Sequence, residues 1–156
     1  MFEIRKAVKQ DAKQMAGLYL QFWEVHVDCD PLIRPKRKPN MKSETESALK
    51  DIRKRSNIML VAQDGMKIIG FIEVNIKKND EMFKLKEYAY LNSCAVDKGY
   101  RKKGVAKALT MAAVNEVRKR NIKYMKASVY NVNETAGKTW KSLGFEKIST
   151  NLVRRL

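Results

Sequence analysis

The sequence predicts a mixed α/β (α+β) fold: one central, mostly antiparallel sheet, with two helices before its central strands and two after. Three observations predict it. Ile58 to Ala62 and Lys67 to Ile76 are strand-like runs flanking Gln63-Asp64-Gly65-Met66, where Asp-Gly suits a two-residue hairpin turn. From Tyr90 to Tyr130 a strand, a basic glycine-containing loop, a helix and another strand follow one another. That is a crossover unit, for which a right-handed connection is expected. Helical periodicity occurs twice ahead of the hairpin and once more behind the crossover.

In chain order, Phe2 to Lys6 alternates and reads as a first strand, after which Asp11 is placed to cap a helix running to about His26. Met15, Leu18, Tyr19, Phe22 and Trp23 recur at three and four, so they form one buried stripe with His26 at its edge. Residues 31–42 hold all three prolines among Arg34, Lys36, Arg37, Lys38 and Lys42, which predicts a loop. Ser43-x-x-Glu46 has the pattern of a capping box and opens a second helix to about Arg55. In the Lys67 to Ile76 strand, Ile72, Val74 and Ile76 share one face, while Phe71, Glu73 and Asn75 share the other.

After a charged turn, the strand ending at Val96 has Tyr90, Asn92, Cys94 and Val96 on one face if its period of two is unbroken. A helix from Gly104 to about Arg120 turns Val105, Leu109, Ala112, Ala113 and Val117 inward. Lys123 to Tyr130 is the next strand. Asn133 caps a short helix that Gly144 ends, and Phe145 to Thr150 and Leu152 to Arg155 supply one or two closing strands.

At 156 residues the chain is expected to form a single domain, residues 1–156, large enough for a real core. Two cysteines, Cys29 and Cys94, and one histidine argue against a disulfide framework and against a metal site. No apolar run is long enough to span a bilayer and Phe2-Glu3-Ile4-Arg5 is strand-like rather than a signal peptide, so no membrane partner and a cytoplasmic location are expected. The formal net charge of +16 attracts polyanions, nucleic acid and CoA phosphates among them. Aromatics are not interleaved with the cations, so a dedicated nucleic-acid module is not favoured.

The stretch from Tyr90 to Leu109 carries the functional signal. A strand ends in a basic loop that opens a helix, pointing peptide N–H groups, a positive helix end and several cations at one spot suited to a pyrophosphate. At Gly104 a Cβ would hold a phosphate off the backbone, and Ala106 keeps the next exposed position small. Arg101, Lys102 and Lys103 add mobile charge. The competing reading is a solvated basic loop that merely caps a surface helix.

Arg101-Lys102-Lys103-Gly104-Val105-Ala106 resembles the Arg/Gln-x-x-Gly-x-Gly/Ala motif of the GCN5-related N-acetyltransferases, the GNAT family. Asn133-x-x-Ala136-x-x-x-Trp140-x-x-x-Gly144-Phe145 is similar to that family's second signature, which has Tyr where this chain has Trp140. The resemblance covers nearly the whole chain and implies acetyl transfer from acetyl-CoA, as cosubstrate, to an amine acceptor. It also implies that Arg101 to Ala106, with Asn133, Ala136 and Trp140, hold the cofactor. The pantetheine arm would enter a V where the central strand splays from the next one, at Cys94, Ala95 and Val96, and a backbone N–H there would polarise the thioester carbonyl. His26-Val-Asp28-Cys-Asp30-Pro31 looks similar to a family segment lining the acceptor pocket.

Catalytic residues stay unassigned by this comparison. The family's strand carboxylate corresponds to Tyr90 or Asn92, neither of which is a carboxylate base, and an indole N–H is not a useful acid at neutral pH. Glu73 and Glu87 are the substitutes considered for the base, each with a surface location as the plainer reading, and Tyr130 is the hydroxyl considered for the acid. Two alternatives accompany the enzyme: a catalytically weakened acyl-CoA-binding regulatory module, and a basic nucleic-acid- or ribosome-associated protein. The acceptor and the oligomeric state, a homodimer included, are left open.

Overall fold

Residues 57–78 form the hairpin at the centre of the sheet. In the computed structural model, which describes residues 1–156, β1 (Glu3–Lys6), β2 (Asn57–Asp64), β3 (Lys67–Lys78), β4 (Glu87–Val96) and β5 (Met125–Ala127) lie side by side in sequence order. The first four pair antiparallel, and β5 joins β4 in parallel. Asp64 pairs with Lys67, so the turn is Gly65-Met66, one residue later than Asp-Gly implies. Only Gly65 has positive φ, at 57°, which is the demand of a type II′ turn.

The helices are α1 (Ala12–His26), α2 (Met41–Arg53), α3 (Val105–Lys119) and α4 (Glu134–Ser142). Parallel pairing of β4 and β5 requires a crossover, and α3 is that crossover. Its apolar stripe, Val105, Leu109, Ala113 and Val117, packs on Ile58, Leu60, Ile72, Val74, Ala89 and Leu91 of the sheet. On the opposite face Met15, Leu18 and Tyr19 of α1 and Ala48 of α2 pack on Met59, Val61, Ile68, Phe71 and Ala95. The sheet is therefore covered on both sides. Each fully buried aliphatic or aromatic side chain adds about 1.5–3 kcal/mol of transfer free energy to that arrangement.

Several expected features take a different form. Asn40, not Ser43, caps α2: its side chain accepts from the Lys42 N–H at 3.0 Å and the Ser43 N–H at 3.1 Å, while Ser43 Oγ accepts the Asn40 N–H. Asn is as good a cap as Ser, and here it starts the helix nearly a turn earlier. Asp11 precedes α1 but makes no side-chain cap bond to it. Its carboxylate accepts both terminal nitrogens of Arg5, at 2.7 and 2.8 Å, and the Val8 N–H at 2.8 Å. A two-pronged charged pair outcompetes a single neutral cap bond.

The strand expected over Lys123 to Tyr130 is reduced to Met125–Ala127, and the closing strands expected at Phe145 to Thr150 and Leu152 to Arg155 do not form. Alternation is only a local signal, and pairing needs an edge of matching length. Three residues of β5 offer little edge, and Ile148 and Leu152 lie 79% and 93% exposed, so no apolar face repays ordering these segments.

Candidate active site

The decisive local feature is a break in β4. Glu73 faces Ser93 and Val74 faces Leu91, so Asn92 is an extra residue without a partner, a β-bulge. The bulge shifts the alternation by one. Ala89 and Leu91 belong to the α3-side core, and after the break it is Cys94 and Val96 that pack against that core while Ala95 turns to the other face. The expectation that Tyr90, Asn92, Cys94 and Val96 share one face is thus incorrect, because the bulge resets the strand's period.

The bulge also stands where β4 and β5 part. Their pairing ends at Leu91 and Ala127, and β4 runs on alone to Val96 on that side. Asp97 N–H donates to Ile69 O on β3, so strand alternation turns the backbone groups of Val96 and Cys94 toward the open edge. In agreement, the Val96 carbonyl accepts Arg101 Nε at 3.2 Å rather than a strand. This is a V with polar edge groups available inside it.

At the V's wide end, Asp97 accepts the Gly99 N–H and fixes the short 3-10 turn Lys98–Tyr100. The chain then passes through Lys102 at φ 62° and Gly104 at φ 79° into α3. Positive φ at Gly104 is cheap only for glycine, and a Cβ there would project into open space with no protein atom within 4 Å. No backbone N–H from Arg101 to Lys107 donates to a protein acceptor. Unpaired donors stand at the positive end of a 15-residue helix with exposed Arg101, Lys102 and Lys103 around them, an arrangement whose electrostatics favour negative charge. Tyr100 steadies the loop's flank, with Lys67 and Lys103 ammonium groups each 5.1 Å from its ring centre.

Trp140 of α4 packs, partly buried, against the same core that Cys94 and Val96 flank, and its ring centre lies 5.9 Å from that of Phe145. Asn133 accepts the Ala136 N–H at 3.1 Å and so caps α4. Both sites are structural as they stand. Burial pushes the Cys94 thiol up to about 12, so it is no nucleophile at neutral pH.

A second group of side chains gathers around the end of α1. His26 stacks on Phe22 at 3.9 Å and donates Nδ1–H to the Phe22 carbonyl at 2.8 Å, and its ring centre is 5.8 Å from that of Tyr130. Tyr90 Oη donates to Ser128 Oγ at 3.0 Å across the β4–β5 gap. Burial, then the nearby charge of Asp30, holds the Tyr130 phenol above its ordinary value. Tyr130 is thereby a weaker acid than a free tyrosine.

Glu73 is not at the surface. It is 3% exposed, and its carboxylate accepts four donors: Tyr19 Oη at 3.3 Å, Asn92 Nδ2 at 2.9 Å and Ser93 Oγ at 3.0 Å on Oε2, and Asn75 Nδ2 at 3.0 Å on Oε1. Burial, and then the Glu73 charge, push the Tyr19 phenol far above its ordinary value, so the proton stays on Tyr19. This cluster was not recognised as such from the sequence. The adjacent polar pair Asn92-Ser93 inside an apolar strand was the available signal, since alternation cannot bury both and expose both.

The family model described as "Acetyltransferase (GNAT) family" matches residues 18–145, spanning both the V and the loop. The chain belongs to the GNAT acetyltransferase family. Among solved structures, this GNAT protein is similar to the tetramutant of BH1408 protein from Bacillus halodurans, with TM-score 0.84 and 21% identity over 99% of each chain. It is also similar to AAC(6')-Iy in complex with the bisubstrate analog CoA-S-monomethyl-acetylneamine, with TM-score 0.79 and 20% identity over 100% of this chain and 98% of that one. A third similar structure is ribosomal-protein-alanine N-acetyltransferase from Brucella melitensis biovar Abortus 2308, with TM-score 0.73 and 18% identity over 100% and 99%. At such identities the likeness is one of fold. A comparison with curated proteins found no match. Family and fold together make acetyl transfer from an acyl-CoA the general chemistry, and no helix is long and apolar enough to cross a membrane.

Proposed function

We propose that this GNAT protein moves an acetyl group from acetyl-CoA to a primary amine of a small molecule, a peptide N-terminus or a lysine. One observation carries the reading: the run of unpaired N–H groups from Arg101 to Lys107 stands beside the open edge of β4, so one elongated ligand reaches both. Arg101 to Ala106 would hold the pyrophosphate, and the backbone at Cys94 to Val96 would take the pantetheine and the thioester carbonyl. An N–H on that edge stabilises negative charge developing on the carbonyl oxygen.

The reaction forms a C–N bond and breaks a C–S bond, with the amine's proton leaving to solvent and CoA departing as thiolate. Thiolate is a tolerable leaving group, which suits a site where Trp140 replaces the family's tyrosine. His26, Asp28, Asp30 and Tyr130 would line the amine's approach. The Asp30 carboxylate offsets locally the repulsion that a net charge of +16 exerts on an ammonium, while Asp28 is paired with Arg34 at 2.9 Å.

The test is thiol release from acetyl-CoA across a panel of amines, amino acids, peptides and aminoglycosides, the last included because of the ligand in the AAC(6')-Iy complex. Amine-dependent release supports the enzyme. Binding of acetyl-CoA without release from any amine favours the regulatory module that Trp140 also suggests, and steeply salt-dependent RNA binding without acetyl-CoA binding favours the nucleic-acid reading.

A further inference from the structure

Consecutive residues of a regular strand point to opposite faces, yet Asn92 and Ser93 both donate to one oxygen, Oε2 of Glu73. Only the bulge allows this. Tyr19 adds a donor from α1 to the same oxygen, and Asn75, two residues along β3, holds the other oxygen. No Lys or Arg pairs with Glu73, and its hydrogen-bond donors are all neutral. A buried acceptor is costly to disturb, since removing it leaves the hydroxyls of Tyr19 and Ser93, both buried, without their partner.

We propose that Glu73 is a positioning residue: its carboxylate clamps the Asn92 bulge and thereby aims the β4 edge at Cys94 to Val96 into the V. The reasoning follows from period. Without the extra residue, everything beyond Asn92 would shift by one position, and Cys94 and Val96 would exchange faces with Ala95. Their backbone groups would exchange edges with those of Ala95 at the same time. The clamp sits one residue past the last β4–β5 pair, which is where the V begins. Glu73 itself, 3% exposed with both oxygens engaged, acts through Asn92 and Ser93 rather than on a substrate.

The inference rests on the proposed use of the V by pantetheine, so its test separates the two halves of CoA. Binding of CoA and of its nucleotide half, 3′-phospho-ADP, is measured for the wild type, Glu73→Ala and Glu73→Gln. Glu73→Ala is expected to weaken CoA by about tenfold, the scale of a buried acceptor lost, while leaving 3′-phospho-ADP unchanged at the loop. Glu73→Gln should recover most of that loss, because Asn75 can rotate its amide to accept from the new NH2 while the remaining oxygen keeps its donors.

Amide hydrogen exchange of the free proteins provides the reading that needs no ligand. The clamp predicts faster exchange confined to the amides of β4 that face β3 beyond the bulge, Ser93 and Ala95, in Glu73→Ala, with near wild-type protection in Glu73→Gln. Equal weakening of both ligands, exchange raised throughout the sheet, a Gln variant as impaired as Ala, or no change in Ala would each overturn the proposal. Failure of the wild type to bind CoA would count against the proposed function, leaving the exchange result to decide the clamp.

Discussion

Two polar regions stand on either side of the same strand end, and they are built in opposite ways. From Arg101 to Lys107 the backbone presents N–H donors with no protein acceptor, in a loop open to solvent. Around Glu73 an acceptor is met by four donors and sealed to 3% exposure. Burial decides the difference. A donor left unpaired in the core costs about 1–3 kcal/mol, so the interior cluster closes upon itself, whereas exposed donors can wait for a ligand at little cost. The open region is fit to bind, and the closed region is fit to hold shape.

The largest effect should come from filling the open region. Gly104→Asp adds a Cβ at a φ of 79° and a negative charge among donors arranged for an anion. Strain of about 1–2 kcal/mol lowers Tm somewhat, and acetyl-CoA affinity should fall by about a hundredfold or more, checked by calorimetry on protein shown to be folded by circular dichroism.

A second closed acid sharpens the comparison, because unlike Glu73 it is neutralised by a cation. Burial alone would raise Asp11, but hydrogen bonds from Arg5 and the Val8 N–H outweigh it and hold the carboxyl below its ordinary value. A depressed folded value means that the pair stabilises the protein above the unfolded carboxyl range, near pH 4, and loses this as pH falls through the folded value. Asp11→Asn should therefore cost about 1–3 kcal/mol at neutral pH, discounted because the Arg5 side chain is 32% exposed, and should flatten the fall in Tm below about pH 4. The smallest effect is expected at Trp140. If the indole only packs, Trp140→Phe keeps turnover within about threefold, less than 1 kcal/mol of barrier, measured as kcat on the best amine of the panel.

What could be read in advance divides along the same line. The hairpin, the crossover and the α3 stripe were legible because they depend on local period and on Gly65 and Gly104. The loop was legible because backbone donors and glycine announce themselves in sequence. The clamp was not, since Glu73, Asn92 and Tyr19 come from three separate elements and meet only once the sheet and α1 are assembled. Period-two reasoning misplaced Tyr90 and Asn92 for the same reason: one extra residue inverts a strand without changing its composition. The capping-box pattern at Ser43 did not place the start of α2, because Asn40 three residues earlier caps equally well. The closing strands failed because alternation says nothing about whether an edge exists to receive them.

The central claim is that the unpaired N–H groups from Arg101 to Lys107 receive the phosphates of acetyl-CoA. It is tested most directly by following those backbone amides by NMR while acetyl-CoA is titrated into the wild-type protein. The account predicts that the largest downfield shifts and the strongest slowing of hydrogen exchange fall on Gly104 to Lys107, with a second set at Cys94 to Val96. Saturable binding that leaves the Arg101 to Lys107 amides unmoved would contradict it.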